Sequence, residues 1–479
     1  MTRSIRFLRQ AAATAALLAA AACNNAFDVP NDNAPTLDDL VAAPTKNKLA
    51  LAAVGINSQI RNDVGGDTWI WGTFGREGFN LQGNDNRNTA ELIRGPLDGG
   101  SFGGLQLAGK YQALRTIDTY LKAIAGAGDM TAGEKAASNG FGKTMKAMML
   151  FRAIQRNGSY GAPVDISQPV NADPPPFLSE ANVYAAIVEL LESAKTDLNA
   201  GGASFPFATP DGQTGFSTPA TFLKFNRGLL AKAQIFRATM LTGCGTTCYT
   251  AALTALGESF LTTTGLPGSL AAGLYYSYST AGGDVTNPLA VATNSASFFV
   301  HPSIIAGAQL RADLSPDLRL QTKVTPYTGT GGSRTLDGLT GRFKFSNYFT
   351  SGSPDLAKGV PILKNEELIL LRAEANIQLG NVAAALDDIN LIRTQSGGLP
   401  PTTLTVASSK ASLMAELVYN RTYSLLWEGG NRWLDARRFG LLGSLPMDRT
   451  GDQAFTRMPI PTAECLARGL LDGCTPAVQ

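Results

Sequence analysis

Histidine is almost missing from this chain, whose 479 residues hold only His301. A two-histidine zinc motif on a helix is therefore excluded, and a Ser-His-Asp triad would have to use that single imidazole. Its setting, Phe298-Phe299-Val300-His301-Pro302, is apolar and points to a structural role. Cysteine is scarce too, at five residues, and no CxxC pair or neighbouring histidine suggests a zinc site. Charge of either sign is not in excess. The net charge is +2 with acids and bases interspersed, which leaves out the basic footprint of nucleic-acid binding. Beyond the N-terminus no run is apolar enough to cross a membrane, which takes about 20 residues. Phosphate and calcium loops are lacking as well. Gly142-Lys143-Thr144 has Ala137 where a phosphate loop needs its first glycine. Asn84-Asp85-Asn86-Arg87-Asn88 runs on to Thr89 and Gly95 where a calcium loop needs glycine and a carboxylate. No cofactor and no metal are expected.

What is present begins at the N-terminus. Arg3, Arg6 and Arg9 precede the charge-free stretch Ala11–Ala22, and Cys23 follows directly. A basic start, a short apolar core and small residues before a cut site make a secretory signal, expected over 1–22. The small-residue run ending in cysteine resembles the lipobox of bacterial lipoproteins, with Ala20 where leucine is usual. That resemblance implies an acylated Cys23 after cleavage. Each buried acyl CH₂ contributes about 0.8 kcal/mol, so several chains hold a protein nearly permanently. Residues 23–40, with Pro30, Asn31-Asp32-Asn33 and Pro35, read as a solvated tether. Residues 41–479 are expected to form one domain, with 44% apolar residues across the chain arguing against disorder. Cys244, Cys248, Cys465 and Cys474 remain, an even number that favours disulfides in an exported chain. Proximity suggests Cys244–Cys248 and Cys465–Cys474 among three possible pairings.

Helical spacing dominates the body. Helices are expected over 46–62, 111–124, 143–154, 179–198 and 220–241, the last opened by Ser217-Thr218-Pro219. Between about 243 and 345 the character changes to Gly, Ser, Thr and aromatics. From Ser259 to Leu310 the only acidic or basic side chain besides His301 is Asp284. A loop-rich insert with at most a few short strands is expected there, and long loops on a rigid frame often carry function. Residues 366–379 then read as a helix ending at Gly380, with Asn381 placed to cap a second helix striped by Val382, Leu386, Ile389 and Ile392. Such a pair resembles a tetratricopeptide unit, which buries its apolar face only against neighbours. The fold class expected is mostly α, with tetratricopeptide-like helix pairs forming a scaffold around a loop-rich insert.

Several motifs resemble the SusD/RagB family. Leu368-Ile-Leu-Leu-Arg372-Ala-Glu374-Ala375 is one, and Leu425-Leu-Trp427-Glu428-Gly429 running into Asn431-Arg432-Trp433-Leu434-Asp435-Ala-Arg437-Arg438 is another. Met458-Pro459-Ile460-Pro461 with Glu464 closes the series, while 141–164 and 182–198 resemble upstream helices of that family. The resemblance implies an outer-membrane lipoprotein, facing the cell surface, that binds an oligosaccharide or peptide and hands it to a partner SusC-like TonB-dependent barrel. It implies binding rather than catalysis. Arg372, Glu374, Glu428, Arg432, Asp435 and Arg437 are structural motif residues in that resemblance, and for Glu428, Arg432, Asp435, Arg437 and Arg438 the expected role is an ion-pair network that locks the C-terminal helices, with an acid–base site as the alternative.

Two aromatic clusters are candidate ligand platforms, because sugars offer apolar faces to rings and hydroxyls to polar groups. One is Trp69, Trp71 and Phe74 with Phe79, Arg76 and Asn80, in a stretch expected to be extended. The other is Tyr275, Tyr276 and Tyr278. Core filling is the competing role for both. A surface glycoside hydrolase and a helical-repeat scaffold that binds only protein stay open as alternatives. The anchor can be tested directly: Cys23→Ser is expected to shift the protein from the membrane fraction to the soluble fraction, and unchanged retention would refute lipid tethering.

Overall fold

Capping residues and close helix approaches, more than helix propensity, decide where the elements of this chain begin and end. The computed structural model describes residues 37–169, 172–240 and 243–478, so Cys23 and most of the tether lie outside the described residues. The first half is helical: α1 Leu37–Ala42, α2 Lys46–Gln59, α3 Val64–Phe74, α4 Ala108–Ile124, α5 Ala132–Asn157, α6 Glu180–Asn199, α7 Pro219–Ala238 and α8 Thr246–Gly257. α5 starts well before the expected Lys143. Thr131 accepts from the Glu134 N–H while the Glu134 side chain accepts from the Thr131 N–H, a complete capping box. The glycines that obscured this start serve packing. A Cβ at Gly140 would sit 2.5 Å from Leu198 of α6, and one at Gly142 2.7 Å from Leu121 of α4. Consecutive helices α4, α5, α6, α7 and α8 pack each on the next.

The C-terminal part adds α9 Pro302–Ala306, α10 Leu318–Lys323, α11 Asn365–Leu379, α12 Val382–Gln395, α13 Lys410–Ser424, α14 Asn431–Arg438 and α15 Thr462–Ala467. α11 and α12 form the expected hairpin. Gly380 takes φ +80°, donating to Ile377 O, and Asn381 donates to Asn376 O at 2.8 Å, a Schellman closure. Asn381 does not cap α12 with its side chain, which instead donates to Asn376 Oδ1. α11 packs on α7, α8, α12 and α13, joining the two halves of the scaffold.

Two expectations are corrected here. Val64–Phe74 is a helix rather than an extended segment, so Trp69 and Trp71 do not share one face of a strand. Tertiary contact overrides its three glycines and β-branched residues: Gly72 lies against Trp427, and the C-cap Gly75 against the Trp433 backbone. The region 243–345 also opens with a helix, α8, which buries Tyr249, Ala252, Ala255 and Leu256 against α7 and α11.

The rest of that region carries short strands as expected: β2 Gly273–Tyr276, β3 Phe299–Val300, β4 Val324–Pro326, β5 Arg334–Leu336, β6 Leu339–Gly341 and β7 Phe343–Phe345, while β1 Gly78–Phe79, β8 Phe349–Thr350, β9 Ser353–Pro354 and β10 Val360–Lys364 lie outside it. One sheet runs β1-β3-β7-β4, all antiparallel, and a separate ribbon pairs β2 with β10. Among the described residues no helix is long and apolar enough to cross a membrane.

Lys344, on the interior strand β7, is buried with its Nζ donating to Ser295 O and Ser297 O and lying 4.4 Å from the centre of the Phe299 ring. Burial pushes this ammonium down to about 7. The folded state therefore releases a proton that the unfolded chain keeps until its ordinary pKa of 10.5. Stability from this group rises with pH between those values. Replacement of Lys344 by Met is expected to flatten the rise of the urea midpoint between pH 7 and 9.5, and an unchanged slope would reject the assignment.

Candidate functional site

An open groove of about 480 Å³ lies where the β2–β10 ribbon meets α10 and the loop after β7. In the ribbon, Tyr275 stands opposite Pro361 and Gly273 opposite Lys364. Side chains alternate along a strand, so half-buried Tyr275 faces the groove while buried Tyr276 turns to the core. Phe349 at the start of β8 supplies a second half-buried ring. Gln321, Lys323, Asn347, Lys364 and Glu428 line the same groove. Asn347 donates its Nδ2 to Leu426 O at 2.8 Å, leaving its Oδ1 without a partner among the described residues.

Glu428 spans two ammonium groups, Lys323 at 2.9 Å and Lys364 at 2.7 Å, and Lys364 also lies 3.6 Å from Glu366. Burial lowers Lys323 even with Glu428 beside it. Lys364 is also desolvated, but Glu428 and Glu366 more than offset this and raise it. Glu366 ends below the ordinary carboxylate range, since both lysines outweigh its burial. The site is thus a fixed set of charges beside two rings, suited to holding hydroxyls and ring faces.

Glu77, which sequence reasoning did not single out, holds this set in place. It is buried, and its two carboxylate oxygens accept from Trp427 N at 2.7 Å and Arg432 N at 3.0 Å, straddling Glu428. Burial raises Glu77 to about 7 against the pull of those two N–H groups. Its carbonyl also accepts from His301 N at 2.9 Å. The loop it clasps has positive φ at Trp427, Gly429 and Gly430, and a Cβ at Gly430 would lie 2.3 Å from Trp71. The sequence signal was a lone acid after a tryptophan-rich helix, which nothing local connects to residues 427–432.

The first aromatic cluster lies elsewhere. Trp71 and Phe74 are buried against Trp433, with ring centres at 5.7 and 5.3 Å. Arg76 is fully buried, φ +55°, and its guanidinium donates to the carbonyls of Thr73, Pro446 and Gln453. Asn80 is buried beside Gln82, and Trp69 is half-buried between Phe102 and Phe298. Tyr278 is buried near Arg61. None of these residues lines the open groove.

The motif residues form two separate networks. Arg438 joins Glu374 at 2.7 Å and Asp435 at 2.9 Å, and Asp435 also takes Arg421 at 2.7 Å, tying α11, α13 and α14 together. Arg372 pairs with Asp388 across the α11–α12 hairpin. Arg437 makes no ion pair among the described residues; it donates to Gln155 O at 2.8 Å and lies 4.7 Å over Trp433. Arg432 donates to Arg76 O at 2.6 Å. Glu428 belongs to the groove and not to this interhelical network. The bonded cysteine pairs are Cys244–Cys248 and Cys465–Cys474. No group of three or more metal-ligating side chains occurs among the described residues.

Comparison with known proteins adds the following. Residues 313–464 match the model of the SusD family, a span that includes motifs from 368 to 464 but not those upstream. Nothing among curated proteins matches. A SusD-like protein of Bacteroides fragilis superposes with a TM-score of 0.67 at 15% identity, over 91% of this chain and 99% of its own. NanU of Bacteroides fragilis gives 0.66 at 15%, over 94% and 100%. A laminarin-binding SusD-like protein gives 0.61 at 15%, over 89% and 99%. At this identity the structural likeness is one of fold.

Loss of the Glu77 clasp should be measurable. Glu77→Ala orphans two buried N–H groups at about 1–3 kcal/mol each, while Glu77→Gln keeps one acceptor and should lose less. Urea unfolding checks the order, and equal midpoints for all three proteins would remove Glu77 from this role.

Proposed function

We propose that this chain is a surface lipoprotein of the SusD family that captures oligosaccharide in the groove lined by Tyr275 and Phe349 and delivers it to a TonB-dependent outer-membrane barrel. The observation that carries the reading is the pairing of two half-buried rings with a row of amide, ammonium and carboxylate groups in one open cavity. Rings hold the apolar faces of sugars, and fixed polar groups bind their hydroxyls. The laminarin-binding protein of the same fold supports a glycan over a peptide. The acylated Cys23 would keep the groove at the membrane where the barrel sits.

Glycoside hydrolysis is the poorer fit for this groove. It needs one carboxyl group held protonated beside another that is ionised. Glu366 is shifted toward the ionised form, and Glu428 is bound to two lysines. Binding without turnover asks only for the preorganised charges that are present.

Affinity electrophoresis against a panel of soluble glycans tests the site. Tyr275→Ala is expected to weaken retardation by a retained glycan about 10-fold, the equivalent of roughly 1.4 kcal/mol, without lowering the unfolding midpoint. Full retardation by the variant would exclude the groove. Tagged protein purified from solubilised outer membrane should carry a barrel with it, and its absence would remove the delivery role.

A further inference from the structure

Outside the groove, three side chains line up that neither the binding reading nor the interhelical ion pairs use. Ser303 Oγ lies 2.8 Å from His301 Nδ1, and His301 Nε2 lies 2.9 Å from Asp448 Oδ2. We propose that Ser303, His301 and Asp448 form a nucleophile–base–carboxylate relay that hydrolyses small carboxylic esters, an activity separate from ligand capture.

The geometry fixes the tautomer. Nε2 faces a carboxylate oxygen and must carry the proton, so Nδ1 is the unprotonated nitrogen, its lone pair shared between the Ser303 hydroxyl and the Ser303 N–H. Burial lowers the imidazole pKa despite Asp448, keeping the base neutral near pH 7. Asp448 is partly desolvated, yet its bond to His301 and the nearby Arg76 and Arg449 hold it ionised. The ring is buried edge-on to Phe79, at 5.2 Å, and its backbone N–H is tied to Glu77. It therefore has one orientation. The order of the two nitrogens is the reverse of the common triad, but proton transfer needs only one bare nitrogen at the hydroxyl and one N–H held by a carboxylate. His301 also caps α9, accepting from Ser303 N at 3.0 Å. Capping accounts for that bond and not for Asp448 or for the Ser303 hydroxyl.

Ser303 opens onto a cavity of about 290 Å³ walled by Val418, Tyr419, Tyr423 and Leu445, with Arg432 at its edge. These walls suit a short acyl group. Arg432 Nη1 lies 3.4 Å from Ser303 Oγ and is held by its bond to Arg76 O, within reach of an oxygen that gains charge beside the nucleophile. In the first step Oγ bonds to the ester carbonyl carbon, its proton passes to Nδ1, and the carbon–alkoxide bond breaks as Nδ1 returns that proton to the leaving alcohol. Water then attacks the acyl-serine with Nδ1 as base, releasing a carboxylic acid and restoring the hydroxyl.

The full-length protein is incubated with a fluorophosphonate probe, and the labelled peptide is identified by mass spectrometry; p-nitrophenyl acetate hydrolysis is followed in parallel. The relay predicts a covalent adduct on Ser303 and ester hydrolysis that falls about 100-fold or more in Ser303→Ala. His301→Asn, which keeps a helix-capping acceptor but has no base, should fall as far. An adduct on any other residue, no adduct, or equal hydrolysis by the wild type and Ser303→Ala would overturn the proposal. The probe arm needs no variant to fold.

Discussion

A single buried carboxylate organises the part of this molecule that holds the candidate groove. Glu77 leaves the N-terminal helices at a left-handed Arg76 and reaches the loop between α13 and α14. Two N–H groups of that loop end on its oxygens, and its own carbonyl receives His301. Burying a carboxylate is expensive, as its upward shift to about 7 records. The loop it holds contains three residues at positive φ, a backbone that the chain would not keep unaided. With the loop fixed, Glu428 points toward Lys323 and Lys364, and Arg432 lies beside Ser303.

A second polar framework supports the first. Glu374, Arg438, Asp435 and Arg421 cross three helices in the interior. Such groups gain little net stability over apolar packing, because desolvation cancels much of the attraction. Their geometry is specific, however, and helix α14 can dock in few ways that satisfy all of them. Gly72, Gly75 and Gly430 let the backbone and indole rings of the two halves touch directly, so the scaffold presents its loops from a close-packed base.

Much of this was legible in the chain. Helices α2, α4, α6, α7, α11 and α12 follow from periodicity and from caps such as Thr218 with Pro219. The tetratricopeptide-like hairpin followed from Leu379-Gly380, although its closure uses the backbone of Asn381 and not its side chain. Of the residues expected to form one ion-pair network, Asp435 and Arg438 meet Glu374 and Arg421, whereas Glu428 lies in the groove and Arg432 and Arg437 donate to backbone carbonyls. Helix α3 was not legible, because its three glycines and run of aromatics oppose helix locally and only contacts with Trp427 and Trp433 decide it. For the groove, Tyr275 was named in advance as a ligand platform and Glu428 only as a motif residue. Lys323, Asn347 and Phe349 come from short segments of low periodicity that carry no mark of their shared cavity.

Sequence alone determined the helical class, the family motifs and the lipobox-like start at Cys23, because periodicity, capping and processing signals are local and read within a few residues. It also delimited the chemistry, since one histidine allows one relay at most. Tertiary structure decided which aromatics face outward, which acid clasps the C-terminal loop, and that Ser303 and Asp448 meet on either side of His301. Those partners lie 2 and 147 residues away in the chain, and only packing brings the distant one within hydrogen-bond reach.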